Sequence, residues 1–399
     1  MFEHVPAQNG IDVYLLSQID GTVANKPIAE QDSIAAIEAQ AGQVAALFAD
    51  FVGQAQASLD ICIYDFRLVI DSVQATVVSA INQAAGRGVT VRIAYDRNEA
   101  DDLDILKQFQ GAGGDPAPVG THVFLTNAGF PSAVQLRPVS EEAIDPGGQI
   151  MHNKYMIRDA GTDQASVWMG SANFTVDAWA LQENNIVTLA GAPELAAGYE
   201  KDFADLWASQ KIKDTGAGDS AIVAVGGDQV RYGFAPGGGK TVEAAIAAAI
   251  AAATTRVRIA SMVLSSELIL TAIKNQIDAG LDVQGVYDFG ETDQVRQTWK
   301  RFPSDAGKLA LLDAVTARLV AKQSAPFLKE HPDWAHNFMH NKVAVADDAI
   351  VTGSFNFSTN ATRNAENVIS TADPALASQY AGYIDQLVAR YRSAGTVHQ

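Results

Sequence analysis

"HNKYMIRD" (152–159) and "HNKVAVAD" (340–347) each set a histidine, a lysine two places later and an aspartate five places beyond it, within one chain of 399 residues. A lone His-x-Lys reads as a solvated strand edge. A second copy at the same spacing calls for a mechanism, and a search outward from both copies decides the fold.

Other segments recur in the same order. "SLDICIYDF" (58–66) and "RVRIASMVL" (256–264) are strand-like runs, each preceded by an Ala-rich helical segment. Each is followed by a helical stretch and a second strand ending in Tyr-Asp: "VTVRIAYD" closes at Asp96 and "LDVQGVYD" at Asp288. Strand, helix, strand is the pattern of parallel pairing through crossover helices. After each His-Lys-Asp string come a short strand and a turn, "SVWMGSANFT" (166–175) and "AIVTGSFNFS" (349–358). The closing segments align Pro193 with Pro374, Leu195 with Leu376, Tyr199 with Tyr380 and Leu206 with Leu387, an amphipathic helix with Pro near its first turn. The expectation is a duplicated α/β unit: two mixed, largely parallel sheets flanked by helices and related by a pseudo-two-fold axis. The first repeat takes residues 1–213 and the second 214–399, with the joint in the polar, Gly-rich "KIKDTGAGDSA" (211–221).

Composition bounds the function. With 48% hydrophobic and 19% charged residues the chain is globular. Its longest apolar stretch, "VEAAIAAAIAAA" (242–253), is short of the ~20 residues of a membrane span and reads as a buried helix. The opening "MFEHVPAQNG" lacks the basic and apolar regions of a secretory signal, so a cytoplasmic location is expected. Cys62 is the only cysteine, which excludes an internal disulfide and a cysteine zinc cluster. A net charge of −18 opposes long-range attraction to nucleic acid or anionic lipid, though a local cationic pocket is compatible with it.

On a strand of period two, the His and Lys of each motif project to one side. Across a pseudo-two-fold axis His152, Lys154, His340 and Lys342 would then converge on one site. Two ammonium groups suit the non-bridging oxygens of a phosphodiester and the charge that grows there in the transition state. One imidazole can attack phosphorus while the other manages the proton on the leaving and entering oxygens, and neither a metal nor a cofactor is called for. The turns offer Ser171, Asn173, Ser354 and Asn356 as substrate-binding groups, with Gly170 and Gly353 allowing close backbone approach. A nucleophilic imidazole also needs an acceptor on its other nitrogen. Glu183, 31 residues after His152, and Glu366, 26 residues after His340, are the candidates; the longer "AGTDQAS" loop absorbs the difference. Asp159 and Asp347, at strand ends, read as structural.

The doubled His-x-Lys-x4-Asp, each copy followed by Gly-Ser-x-Asn and an acidic residue in an Asn-rich context, resembles the phospholipase D superfamily over most of the chain. The resemblance implies a phosphodiesterase working through a phosphohistidine, with His152 as nucleophile and His340 as general acid. It also makes Lys154, Lys342, Asn173 and Asn356 phosphate contacts, and puts Glu183 and Glu366 where some members have Asp. Since both motifs lie in one chain, a monomer can be complete.

The favoured substrate is a phospholipid head group, hydrolysed or transferred with transient contact to a membrane surface. A metal-independent nuclease is the alternative, and a non-catalytic phosphate- or lipid-binding scaffold is the reading of another class. Specificity is expected in the connections 97–151 and 289–339, where Phe130, Trp334 and Phe338 could line a groove or simply pack. His336 reads as a loop residue. "GFAPGGGKT" (233–241) misses the P-loop spacing and reads as a turn capping a helix.

Overall fold

Residues 2–6, 9–19, 31–97, 120–139, 149–213, 215–324 and 337–393 are described in a computed structural model. Trp334, His336 and much of the two long connections lie outside them.

In the first half, strands β1 (Phe2–Val5), β2 (Ile11–Leu16), β3 (Ser58–Ile63), β5 (Thr90–Asp96), β6 (Val134–Val139), β7 (Lys154–Arg158), β8 (Ser166–Gly170) and β10 (Asn184–Leu189) form one sheet. Its order is β1-β2-β10-β8-β7-β3-β5-β6. Between these in the chain, β4 (Phe66–Arg67) and β9 (Phe174–Thr175) pair as a separate parallel ribbon. The second half repeats the plan with β11 (Ala221–Val225), β12 (Asp228–Ala235), β13 (Arg256–Ser261), β14 (Asp282–Asp288), β15 (Val320–Lys322), β16 (Lys342–Ala346), β17 (Ala349–Gly353) and β18 (Glu366–Ala372). Here the order is β11-β12-β18-β17-β16-β13-β14-β15. The duplicated mixed-sheet architecture is thus as expected, but parallel pairing is narrower than "largely parallel". Within the two large sheets it is confined to β3-β5-β6 and β13-β14-β15. The other ladders of these sheets are antiparallel; β7-β8 and β16-β17, which follow the motifs, are joined by short turns that allow only antiparallel neighbours.

β7 and β16 are buried along their whole length, as strands covered on both faces should be. Helices Gln31–Gly53 and Asp71–Gly86 cover the outer face of the first sheet, and Gly239–Ala251, Glu267–Asp278 and Ala306–Thr316 that of the second. The inner faces meet in one common core with helices Pro193–Ser209 and Pro374–Ser393. Tyr155 and Tyr199 of the first half stack edge-on against Phe234 of the second, at centroid distances of 6.4 and 4.9 Å. The halves therefore present their equivalent strand ends to each other. The "GFAPGGGKT" stretch ends β12 and opens the helix at Gly239, where an added Cβ would strike the Thr362 carbonyl. No helix among the described residues is long and apolar enough to cross a membrane.

Candidate active site

Each histidine is placed by its own half and docked on the other. Asp96 and Asp288, the last residues of β5 and β14, accept the backbone N–H of Met151 (2.5 Å) and Met339 (3.0 Å), fixing the chain one residue before each imidazole. The Asn153 and Asn341 carbonyls accept from Tyr64 and Met262, both at 3.0 Å. Across the interface His152 N donates to Ala365 O (2.8 Å), and His340 N to Glu183 O (3.1 Å). The four residues His152, Lys154, His340 and Lys342 are thereby brought together, each no more than 5% exposed. Lys154 Nζ donates to the His152 carbonyl at 2.8 Å and lies 5.0 Å above the Tyr64 ring, while Lys342 Nζ donates to the His340 carbonyl and meets Met262 Sδ at 3.9 Å.

The acceptors behind the imidazoles are unequal. His152 Nδ1 lies 3.0 and 2.9 Å from the two Glu366 oxygens, a carboxylate supplied by the other half. Ser354 Oγ (2.6 Å) and Asn364 Nδ2 (3.2 Å) also donate to Glu366. His340 Nδ1 faces not Glu183 but Asn184 Oδ1, at 2.9 Å. Glu183 therefore does not take the place expected for it. Ser171 N donates to Asn185 O (3.0 Å) and Ser354 N to Asn367 O (2.9 Å), which makes Asn184 the counterpart of Glu366. The matching "EN" pairs mislead because one more residue separates Ser171 from β10 than Ser354 from β18. A short helix, Val176–Ala180, stands in the first copy against the 3-10 turn Asn360–Thr362 in the second. Glu183 is instead buried against Lys322 Nζ and Tyr391 OH, with Gln18 N at 3.3 Å.

The turn residues divide. Ser171 Oγ donates to Asn184 Oδ1 (2.8 Å) as Ser354 Oγ does to Glu366, so both hydroxyls serve the groups behind the imidazoles rather than standing free for substrate. Asn173 and Asn356 each keep a buried amide oxygen without a partner among the described residues. Gly170 and Gly353 have φ of 149° and 157°, and a Cβ at either would strike the Asn185 or Asn367 carbonyl. Asp159 and Asp347 sit at the opposite strand ends from the histidines. Asp159 Oδ1 accepts the N–H groups of Gln56, Ala57 and Ser58 at 2.9, 2.6 and 3.2 Å, and Asp347 those of Thr254, Thr255 and Arg256 at 2.7, 3.0 and 3.0 Å. Phe130 packs on the outer core of the first half.

A family model described as the phospholipase D-like domain of cardiolipin synthase matches residues 48–207 and 246–388. The chain belongs to the phospholipase D-like family. Among solved structures, phosphatidylserine synthase from Haemophilus influenzae Rd KW20 is similar over 97% of this chain and 87% of its own, at 11% identity and a TM-score of 0.59. Polyphosphate kinase from Porphyromonas gingivalis is similar over 86% of this chain and 45% of its own, at 12% identity and a TM-score of 0.50. Nuc from Salmonella typhimurium, a phospholipase D family member, covers 41% of this chain and 95% of its own, at 23% identity and a TM-score of 0.31. The first two likenesses show the fold. No curated protein sequence matches.

Burial dominates the electrostatics of this phospholipase D-like site. Desolvation, then Lys154 and Lys342, holds His152 well below the ordinary imidazole range; desolvation, then Lys342, Lys154 and His152, does the same to His340. Lys342 is pushed well down by burial and by Lys154. Burial raises Glu366 to about 8, against the opposing pull of Lys154, Ser354, Asn364 and Lys342. The Glu366–His152 pair therefore holds a proton that it releases near that pH, leaving a carboxylate on Nδ1–H and a lone pair on Nε2.

Four contributors were not singled out from sequence. Asp96 and Asp288 were visible as the repeated Tyr-Asp ending. Asn184 was hidden by the adjacent Glu183. Lys322 had no signal, because its counterpart in the first half is Val139: the one pairs with Asp288 across β15-β14, the other with Asp96 across β6-β5.

Proposed function

We infer that this chain transfers the phosphoryl group of a phosphodiester, through a covalent phosphohistidine on His152, to water or an alcohol, with a phospholipid as donor. The observation that carries this reading is the Glu366 carboxylate on His152 Nδ1. Attack by Nε2 leaves a cationic phosphoimidazole, and among the described residues it is His152, not His340, that has a carboxylate on Nδ1 to neutralise it. The assignment of attacker thus has support from the site itself and not only from family analogy. Lys154 and Lys342 balance the non-bridging oxygens, Asn173 and Asn356 offer amides beside them, and His340 handles the proton at the second oxygen. A charge of −18 favours a lipid over a nucleic acid, and the fold shared with phosphatidylserine synthase agrees.

The test has two arms in chelator. Quenched mixtures with an aryl phosphodiester should show a phosphoryl adduct on His152, absent in His152→Ala. Vesicles of phosphatidyl-p-nitrophenol with ethanol should yield phosphatidylethanol, while single-stranded DNA stays intact. Cleaved DNA with no phosphatidylethanol would replace the lipid reading with the nuclease one, and binding without any adduct would replace both with a scaffold.

A further inference from the structure

The two imidazoles differ in what stands behind them, and the difference has chemical content. The Asn184 amide is oriented unambiguously: its Nδ2 donates to the Ala178 carbonyl at 3.0 Å and to Gln182 Oε1 at 3.2 Å, so Oδ1 faces His340. An amide oxygen only accepts, so His340 carries its proton on Nδ1 and keeps a lone pair on Nε2. That Oδ1 also takes the Ser171 hydroxyl. Burial, Lys342, Lys154 and His152 all disfavour a charged His340, and a hydrogen bond to the Ser171 backbone opposes them without reversing the direction. Glu183, the residue before Asn184, is paired with Lys322 instead of facing His340. Among the described residues no carboxylate contacts the His340 ring, whereas His152 has one on its Nδ1.

We propose that Asn184 is a positioning residue that keeps His340 a base, and so restricts the donor to phosphodiesters whose leaving group departs as an anion without a proton: aryl esters and phosphoric anhydrides. This rests on the reading of His152 as nucleophile. In the first step His152 Nε2 forms the P–N bond, and the P–O bond breaks with its electron pair leaving on the oxygen. An alkoxide, whose conjugate acid is about as weak as water at ~16, needs an acid at that moment; a phosphate leaving group, with a second pKa of ~6, does not. In the second step the incoming alcohol gives its proton to His340 Nε2 and its oxygen bonds phosphorus. The P–N pair returns to His152, and His340 later releases the proton to water.

The experiment compares phosphatidyl-p-nitrophenol with phosphatidylcholine as donors to ethanol, using the full chain and Asn184→Asp. The parent should favour the aryl donor by ~100-fold or more, the lower range of what a general acid supplies. Asn184→Asp should narrow that ratio at least tenfold, mainly by raising the phosphatidylcholine rate, and should move the alkaline side of its pH profile upward. A parent that uses both donors equally overturns the proposal, as does a folded Asn184→Asp with an unchanged ratio; if that variant does not fold, the parent ratio decides. Turnover of neither donor together with no adduct on His152 removes the underlying phosphohistidine reading, a result distinct from an adduct that forms with equal donor rates.

Discussion

Lys322 Nζ is seated on the Glu183 carboxylate in the interior, and also donates to Phe338 O at 3.2 Å, two residues before His340. The Glu183 peptide itself receives His340 N and donates to Phe338 O. One buried ion pair thus clamps the backbone that leads into the second motif, at Phe338 and His340. At the corresponding place on the other side of the pseudo-axis stand Ala365 and Val139, both fully buried and apolar.

Removing one charge of this pair should be far worse than removing both. Lys322→Met strands a buried carboxylate and should cost about 3–5 kcal/mol in urea unfolding. The double variant Lys322→Val with Glu183→Ala, which copies Val139 and Ala365, should recover most of that loss. Equal destabilisation of single and double variants would show that the pair's charge balance is not what matters.

Glu366→Gln should separate activity from stability. Without the carboxylate His152 loses its anion, and kcat should fall by ~10²–10⁴-fold, measured on an aryl phosphodiester. Stability moves the other way. With its folded-state value raised to about 8, the Glu366 carboxyl binds more proton in the folded than in the unfolded chain between its ordinary range and pH 8. Stability therefore falls as pH rises through that window. The variant should have a higher Tm than the parent at pH 8 and above, with the gap closing toward pH 4.

Activity should rise as pH climbs toward about 8, where the Glu366–His152 pair releases its proton and frees Nε2. It should decline on the alkaline side as Lys342, held well below the ordinary lysine range, loses its charge. A kcat/KM profile that is flat from pH 6 to 8 would contradict the first limb. Lys342→Arg, which stays charged, should abolish or postpone the second.

Asp159→Ala should destabilise without touching chemistry. The residue accepts three backbone N–H groups and adopts φ of 55°, so alanine loses those bonds and adds a left-handed penalty of about 1 kcal/mol. The total should be a few kcal/mol, with kcat per folded molecule within about twofold of the parent. A large drop in kcat at full folding would return the aspartate to the reaction.

Much of this arrangement was legible in the sequence, for physical reasons. Burying a strand on both faces demands continuous apolar runs, which is why β7 and β16 stand out around their motifs, and an intact duplication exposes every equivalent element at once. The opening Tyr-Asp endings were equally readable, though their purpose, holding Met151 and Met339, required the fold. Glu183 misled because sequence register is set by identity and structural register by hydrogen bonding. One inserted residue slid Asn184 into the acceptor's place behind the His340 imidazole, and no periodicity marks such a slip. Lys322 was silent because its neighbour in space, Glu183, lies 139 residues away in the chain.

Ser354 and Glu366 serve the histidine of the first half, Ser171 and Asn184 that of the second, and Tyr383 of the last helix donates to Leu16 O at 2.5 Å. The copies have become non-interchangeable. A protein built from two first halves would carry two amide-backed imidazoles and no stabilised nucleophile; one built from two second halves would carry two carboxylate-backed ones and no dedicated base. A symmetric pairing of either half with itself would therefore lack one of the two roles.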